Sequence, residues 1–161
     1  RLGLYRPRSG EVLIGGVDAA AIPDTQKRRI FGCVEQSFHM VPGSVKDQIT
    51  LFDPSVSFDD VKSAARLVGL DETIEALPEG YDTACTPSIF SQGQWQLLVI
   101  ARAVAADPKI LLLDEITANL DADTEQTVLE ALRQASADRT VVSISHRLFE
   151  HTGGRLVTIG G

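Results

Sequence analysis

Cysteine is scarce in this 161-residue sequence: only Cys33 and Cys85 occur, and they form no CxxC pair. That leaves no cysteine-pair motif, and two isolated thiols point to a reducing compartment. Long apolar runs are missing as well. No stretch approaches the ~20 apolar residues of a membrane span, and the longest candidate, Leu97 to Ala106, is interrupted by Arg102. Positive charge is in deficit, with 15 Lys and Arg against 22 Asp and Glu and a net charge of -7. An acidic surface argues against nonspecific binding to nucleic acid or anionic membrane, while leaving room for a local basic pocket for phosphate. There is no internal repeat and no low-complexity tract. The first residue is arginine and no signal-peptide pattern follows it, so a piece of a longer protein is expected. What is present is globular in balance, 43% hydrophobic and 23% charged, at the size of one domain.

Along the chain, Glu11 to Ile14 is a short β-rich run after the turn Pro7-Arg8-Ser9-Gly10. Ile30 to Val34 is a second apolar run, ending at Glu35-Gln36. Turn and loop signals fill Gln36 to Ser57, punctuated by Pro42, Gly43 and Pro54. Phe58 to Val68 predicts a helix capped by Ser57, with Asp59 and Asp60 in its first turn and Gly69 as its stop. Asp71 to Ala76 predicts a shorter helix. Gly93 to Ala106 predicts a long one, with Leu97, Leu98, Ile100, Ala101 and Val104 inward. Ile110 to Leu113 reads as a strand buried on both faces, Asp123 to Ala135 as an amphipathic helix, Thr140 to Ile144 as another buried strand and Leu156 to Ile159 as a last strand. Strand, helix, strand at this spacing predicts a mostly parallel α/β sheet. Ligand chemistry in such sheets lies beyond the carboxyl ends of the strands, where Asp114, Glu115 and His146 fall.

Two motifs carry the chemistry. Ile110-Leu111-Leu112-Leu113-Asp114-Glu115 delivers adjacent carboxylates from a buried strand. Side chains alternate along extended backbone, so one acid can orient a magnesium-bound water while the other reaches an attacking water. The same run also reads as a strand followed by an acidic helix cap. Phe90-Ser91-Gln92-Gly93-Gln94 opens a helix with a hydroxyl and backbone N–H groups at its positive end, which makes either an anion site or an ordinary serine N-cap. His146, alone, fits a buried hydrogen-bonded histidine as well as a ligand-facing one. Trp95 reads as packing and Arg102 as an ion-pair partner, while His39 and His151 have no functional context.

Taken in order, these runs resemble the ATP-binding cassette family. Ser91-Gln92-Gly93-Gln94 is similar to its signature LSGGQ, Leu113-Asp114-Glu115 to the Walker B strand with the catalytic glutamate, and Asn119-Leu120-Asp121 to the D-loop. His146 in Ile144-Ser145-His146-Arg147 resembles the switch histidine, and Gln36 the Q-loop glutamine. The resemblance covers nearly the whole chain. It implies a P-loop NTPase (RecA-like) α/β fold with an inserted α-helical subdomain, with residues 1–36 and 107–161 as the core and 37–106 as the helical part. It implies ATP and Mg2+ as ligands. Glu115 would be the general base, and Asp114 and Gln36 would hold the magnesium shell. His146 would contact the γ-phosphate, and Ser91, Gln92, Gly93, Gln94 and Asp121 would face ATP held by a second cassette. The implied partners are that second nucleotide-binding domain and transmembrane domains, with no nucleic acid, at the cytoplasmic face of the cell membrane.

One family element is absent. The phosphate loop G-x-x-x-x-G-K-[ST] would wrap the phosphates with backbone amides and a lysine, yet none of Lys27, Lys46, Lys62 or Lys109 stands in that pattern. Leu2-Gly3-Leu4-Tyr5-Arg6-Pro7-Arg8-Ser9-Gly10-Glu11-Val12 resembles the end of the helix that follows this loop, so the loop is expected upstream of Arg1. Gln92 stands where the family has glycine and is expected to crowd phosphate or to need a different backbone angle. The run Tyr81 to Pro87 lacks the family's V-G-E. Val41 to Ile49 and Leu77 to Thr83 resemble exporter rather than importer patterns. The expected function is therefore ATP hydrolysis powering export in the intact parent, with this piece alone inactive. The alternatives are a soluble cassette ATPase of DNA repair or translation, which the short Gln36-to-Ser91 interval and the acidic charge oppose, and a degenerate regulatory cassette.

Overall fold

The computed structural model describes residues 10–35, 38–114 and 120–144. A small antiparallel hairpin, β1 (Leu13–Ile14) and β2 (Val17–Asp18), comes first, followed by a 3-10 turn at Ala19–Ala21 and helix α1 (Asp24–Ile30). Three strands, β3 (Phe31–Val34), β4 (Ile110–Asp114) and β5 (Thr140–Ile144), then form a sheet in that order, all parallel. Between β3 and β4 the chain builds α2 (Val45–Thr50), α3 (Phe58–Leu67), α4 (Asp71–Glu75), a 3-10 turn at Gly80–Asp82 and α5 (Gln92–Val104). Between β4 and β5 it builds α6 (Ala122–Ser136).

Helix starts follow local side-chain chemistry. Ser44, Ser57 and Ser91 each form a reciprocal capping box with the residue three positions on, Asp47, Asp60 and Gln94. Each box satisfies donors that a helix end otherwise leaves without a partner. Gly69, at φ +75°, follows α3 as its expected stop. Helix α2 falls where only loop signals were expected. Its six residues sit between Gly43 and Pro54, but the Ser44/Asp47 box and the fully buried Val45 and Ile49, one turn apart, hold it in place.

The core is built around α5. Leu97, Leu98, Val99, Ile100, Ala101, Ala103 and Val104 are all buried, so this helix is apolar on nearly every face and is enclosed by neighbours. It packs against α2, α3, α6 and β3. Truncating Leu98 or Ile100, both fully buried, to alanine would cost about 2–5 kcal/mol. Gly32 allows the approach to β3. A Cβ there would lie 2.4 Å from the Ala103 carbonyl oxygen and 2.7 Å from Leu111 Cδ2.

Two sheet expectations need correcting. In β4, Leu111 and Leu113 are buried but Ile110 and Leu112 are only half-covered. In β5, expected to be buried, Val141 and Val142 are 37% and 53% exposed. Among the described residues β5 pairs with β4 on one side only, so it is an edge there, and Thr140 to Ser143 are all exposed. The last strand expected at Leu156 to Ile159 lies outside the described residues. Among the described residues no helix is long and apolar enough to cross a membrane.

Candidate functional site

Register fixes where the candidate residues emerge. Val34 pairs with Leu113, and Asp114 with Ile144, so the three parallel strands end level at one sheet edge. Asp114 is the last residue of β4 and is exposed there, two positions beyond half-covered Leu112 and on its side of the sheet. Gln36, Glu115 and His146 follow these strand ends in sequence by two, one and two residues, and lie outside the described residues.

The signature-like turn is a built helix start. Ser91 is the N-cap of α5: its Oγ accepts from Gln94 N at 3.3 Å, and Gln94 Oε1 accepts from Ser91 N at 2.9 Å. The N-cap reading of Ser91 thus holds. It leaves the hydroxyl proton available to donate, and the Gln92 and Gly93 N–H groups lie in the first turn, outside the helix ladder. Gln92 needs no unusual backbone, because it is not among the positive-φ residues, and its side chain is exposed. The expectation of a changed backbone angle is corrected: at the first helical position a glutamine fits with its side chain in solvent.

Asp121 caps α6. Its carboxylate accepts from Thr124 N at 3.0 Å and from Thr124 Oγ1 at 2.7 Å. These bonds, the side-chain one first, hold its carboxyl below the usual carboxylate range. The start of α6 meets the start of α5 directly, because Gly93 lies against the Thr124 methyl.

A tie unread from the sequence joins α5 to the segment after Gln36. Phe38 stacks on Trp95 with ring centroids 4.4 Å apart, and Trp95 meets Phe90 edge-on at 5.2 Å. The Arg102 guanidinium lies 4.4 Å over the Phe38 ring, and its Nη1 donates to the His39 carbonyl at 3.0 Å. Its Nε donates to the Gln48 carbonyl at 2.5 Å. Arg102 was expected to be an ion-pair partner. Among the described residues it forms no salt bridge; it is held by carbonyls and a ring face. Burial, and then Arg28 nearby, pull its pKa down to about 10. Arg28 donates to the Thr50 carbonyl, to Ile49 O at 3.3 Å and to Asp53 Oδ2 at 3.2 Å. Two guanidiniums therefore serve the carbonyl end of α2, where the helix dipole favours positive charge.

Gln48 is the other unread residue. It is fully buried, and its side chain accepts from Val41 N at 2.9 Å and donates to Val41 O at 2.8 Å and Ser44 O at 3.3 Å. The run before the signature, which departs from the family pattern, is pinned to the same segment. Val45 N donates to Thr83 O at 3.0 Å and Cys85 N to Gly43 O at 2.9 Å.

As a ligand site these residues fit in part. Asp114 is an exposed oxygen donor of the type magnesium takes, and the α5 start offers N–H and O–H donors of the type an anion takes. Among the described residues there is no group of three or more His, Cys, Asp or Glu side chains that could enclose a metal by itself.

Comparison with known proteins decides the family. The model described as ABC transporter matches residues 2–118. The chain belongs to this family. It is similar to the ABC transporter ATP-binding protein YfiC of Bacillus subtilis, described as uncharacterized, with 41% identity over 146 residues, 89% of this chain and 24% of that protein. It is 38% identical to the mycobactin import ATP-binding/permease protein IrtA of Mycolicibacterium smegmatis, covering 94% of this chain and 19% of that protein. Among solved structures it resembles a bacterial Atm1-family ABC exporter with ATP bound, with a TM-score of 0.72 and 35% identity over 91% of this chain and 26% of that one. The chain thus spans about a quarter or less of the relatives it matches. Its fold is the P-loop NTPase α/β fold of ABC nucleotide-binding domains.

Proposed function

We propose that this cassette chain supplies the hydrolytic side of an ATPase that powers export through transmembrane domains, at the cytoplasmic face of a membrane. The supporting observation is the level carboxyl edge of β3, β4 and β5, from which Gln36, Glu115 and His146 follow within two residues. Glu115 is the base that polarises water, and His146 positions that water and the γ-phosphate. Magnesium, held through Asp114 and Gln36, would neutralise phosphate charge. Ser91, Gln92, Gly93, Gln94 and Asp121 face the nucleotide of a second cassette, which makes the active unit a dimer. In this reading residues 37–106 form the helical subdomain and the flanking segments form the core.

The 161 residues alone are inactive in this proposal. A triphosphate needs converging N–H groups, a lysine and magnesium, and the sequence has no G-x-x-x-x-G-K-[ST] loop. Without that cradle, Asp114 and Glu115 offer the nucleotide only like charge. Relatives carry both export and import in their names, so direction rests on the exporter-like runs Val41 to Ile49 and Leu77 to Thr83. Transport into inside-out vesicles tests direction. The test of mechanism is ATP turnover by the full-length protein and by this chain, each beside Glu115→Gln. Expected are turnover in the full-length protein, its near-abolition with ATP binding kept in Glu115→Gln, and none in the chain. Glu115→Gln turnover at the parent's rate removes Glu115 from the mechanism, and Glu115-dependent turnover by the chain alone refutes the inactivity.

A further inference from the structure

Gly93 and Asp121 are linked by a side chain that belongs to neither motif. Thr124 Oγ1 donates to Asp121 Oδ2 at 2.7 Å, and its backbone N–H donates to Oδ1 at 3.0 Å. With the hydroxyl committed to that side, the methyl is left facing Gly93. A Cβ placed on Gly93 would sit 2.4 Å from Thr124 Cγ2. Carbon atoms rest at about 3.5–4.0 Å, so the overlap is about 1 Å. The next atoms it would meet are Thr124 Cβ at 3.6 Å and Oγ1 at 3.7 Å, both ordinary contacts. The obstacle is one methyl group. Threonine is stiff at χ1, and turning the methyl away would break the bond to Asp121. Nor can the helices part easily, because α5 and α6 pack on each other and their buried residues, Leu97, Val128 and Leu132 among them, belong to one continuous core.

We infer that Thr124 is a positioning residue: it locks the signature turn at Gly93 to the Asp121 cap, and Gly93 is glycine here to make room for it. The inference rests on the proposed reading of both motifs as the surface offered to a second cassette's nucleotide. It gives the bare Cα of Gly93 a reason within this chain, separate from any approach of phosphate. It also makes the two motifs one rigid edge.

The test is a double-mutant cycle in the full-length protein, with Gly93→Ala introduced beside Thr124 and beside Thr124→Ser. Serine keeps the hydroxyl and drops the methyl. Turnover (kcat and KM) and the urea midpoint are measured for all four proteins. Beside Thr124, Gly93→Ala lowers kcat by about 100-fold, the scale of a 1 Å misplacement; in the Thr124→Ser background most of that loss disappears. Thr124→Val, which keeps a methyl and loses only the hydroxyl bond to Asp121, gives no rescue of Gly93→Ala. An equal loss of kcat with Thr124 intact and with Thr124→Ser overturns the inference, because Gly93 would then be required by the ligand. A Gly93→Ala protein with the parent's kcat overturns it too. The urea midpoint judges the Gly93–Thr124 contact even if the parent shows no turnover: Gly93→Ala lowers it beside Thr124 and not beside Thr124→Ser. Absent turnover would thus sink the ATPase reading separately.

Discussion

Replacing Gln48 by leucine tests whether one amide braces the segment after Gln36. The two best bonds of the Gln48 side chain go to Val41, one to its N–H and one to its C=O, at 2.9 and 2.8 Å. Leucine fills similar space and makes neither. At a net value of about 1 kcal/mol per hydrogen bond, the segment loses about 2 kcal/mol. With 1.4 kcal/mol per factor of ten, the Val41 amide exchanges about 30-fold faster if it opens locally. Ser44 O keeps a partner, because it also accepts from Gln48 N at 3.2 Å. Gln48→Glu is expected to do more damage than leucine, since it turns a buried carboxylate toward the carbonyls of Val41 and Ser44. Hydrogen–deuterium exchange by mass spectrometry on peptides covering residues 38–44 of the full-length protein measures this. An unchanged exchange rate at Val41 in Gln48→Leu would refute the brace.

Gln92→Gly is expected to keep turnover or raise it, since the Gln92 side chain is exposed at the first position of α5; a large loss of kcat would give the glutamine a role of its own. Gly32→Ala should destabilise the fold by about 1–3 kcal/mol through overpacking, because the Ala103 carbonyl is backbone and cannot turn aside; an unshifted urea midpoint would contradict that close approach. The Asp60 carboxyl is held below its ordinary range, first by the Ser57 hydroxyl and then by the Ser57 backbone N–H. A folded pKa below the unfolded one adds stability that is full above pH ~4 and fades as pH falls through the folded value. The gap in urea midpoint between the parent protein and Asp60→Ala is therefore constant from pH 7 to about 4 and closes below that; a gap that persisted undiminished in acid would exclude the carboxylate as its source.

Long periodic segments were legible in the sequence. Helix α3 announced itself by Ser57, Asp60 and Gly69, α5 by its dense apolar positions around Arg102, and β4 by four apolar residues in a row, although the strand's burial on only one face depends on what covers it. What stayed hidden depends on partners distant in sequence. Val141 and Val142 look like core residues, but strand order makes β5 an edge among the described residues. Arg102 looks like half of an ion pair, but its partners are carbonyls, which carry no residue identity, and a ring 64 positions away. Helix α2 carries its own signal in Ser44-x-x-Asp47, a capping box at the right spacing, but it is short and lies directly after the turn residues Pro42 and Gly43. Of the candidate site, Asp114 was singled out by its place at a strand end, Ser91 to Gln94 by their place at a helix start, and Asp121 by its resemblance to the D-loop. The Gly93–Thr124 contact did not, because nothing local ties a glycine to a threonine 31 positions later.

The close approach at Gly32 gives α5 a fulcrum. Its carboxyl end is pressed through the Ala103 carbonyl against Gly32 of β3, beside the Leu111 and Pro108 side chains. Ser91 sits at the other end, about 18 Å away at 1.5 Å per residue. A tilt of about 10° about that pivot would sweep Ser91 through about 3 Å at this arm length, roughly the length of a hydrogen bond, while Ala103 barely moved. Because Gly93 bears on Thr124, such a tilt would carry the start of α6 with it, so Ser91 and the Asp121 cap would travel together as the far end of one arm.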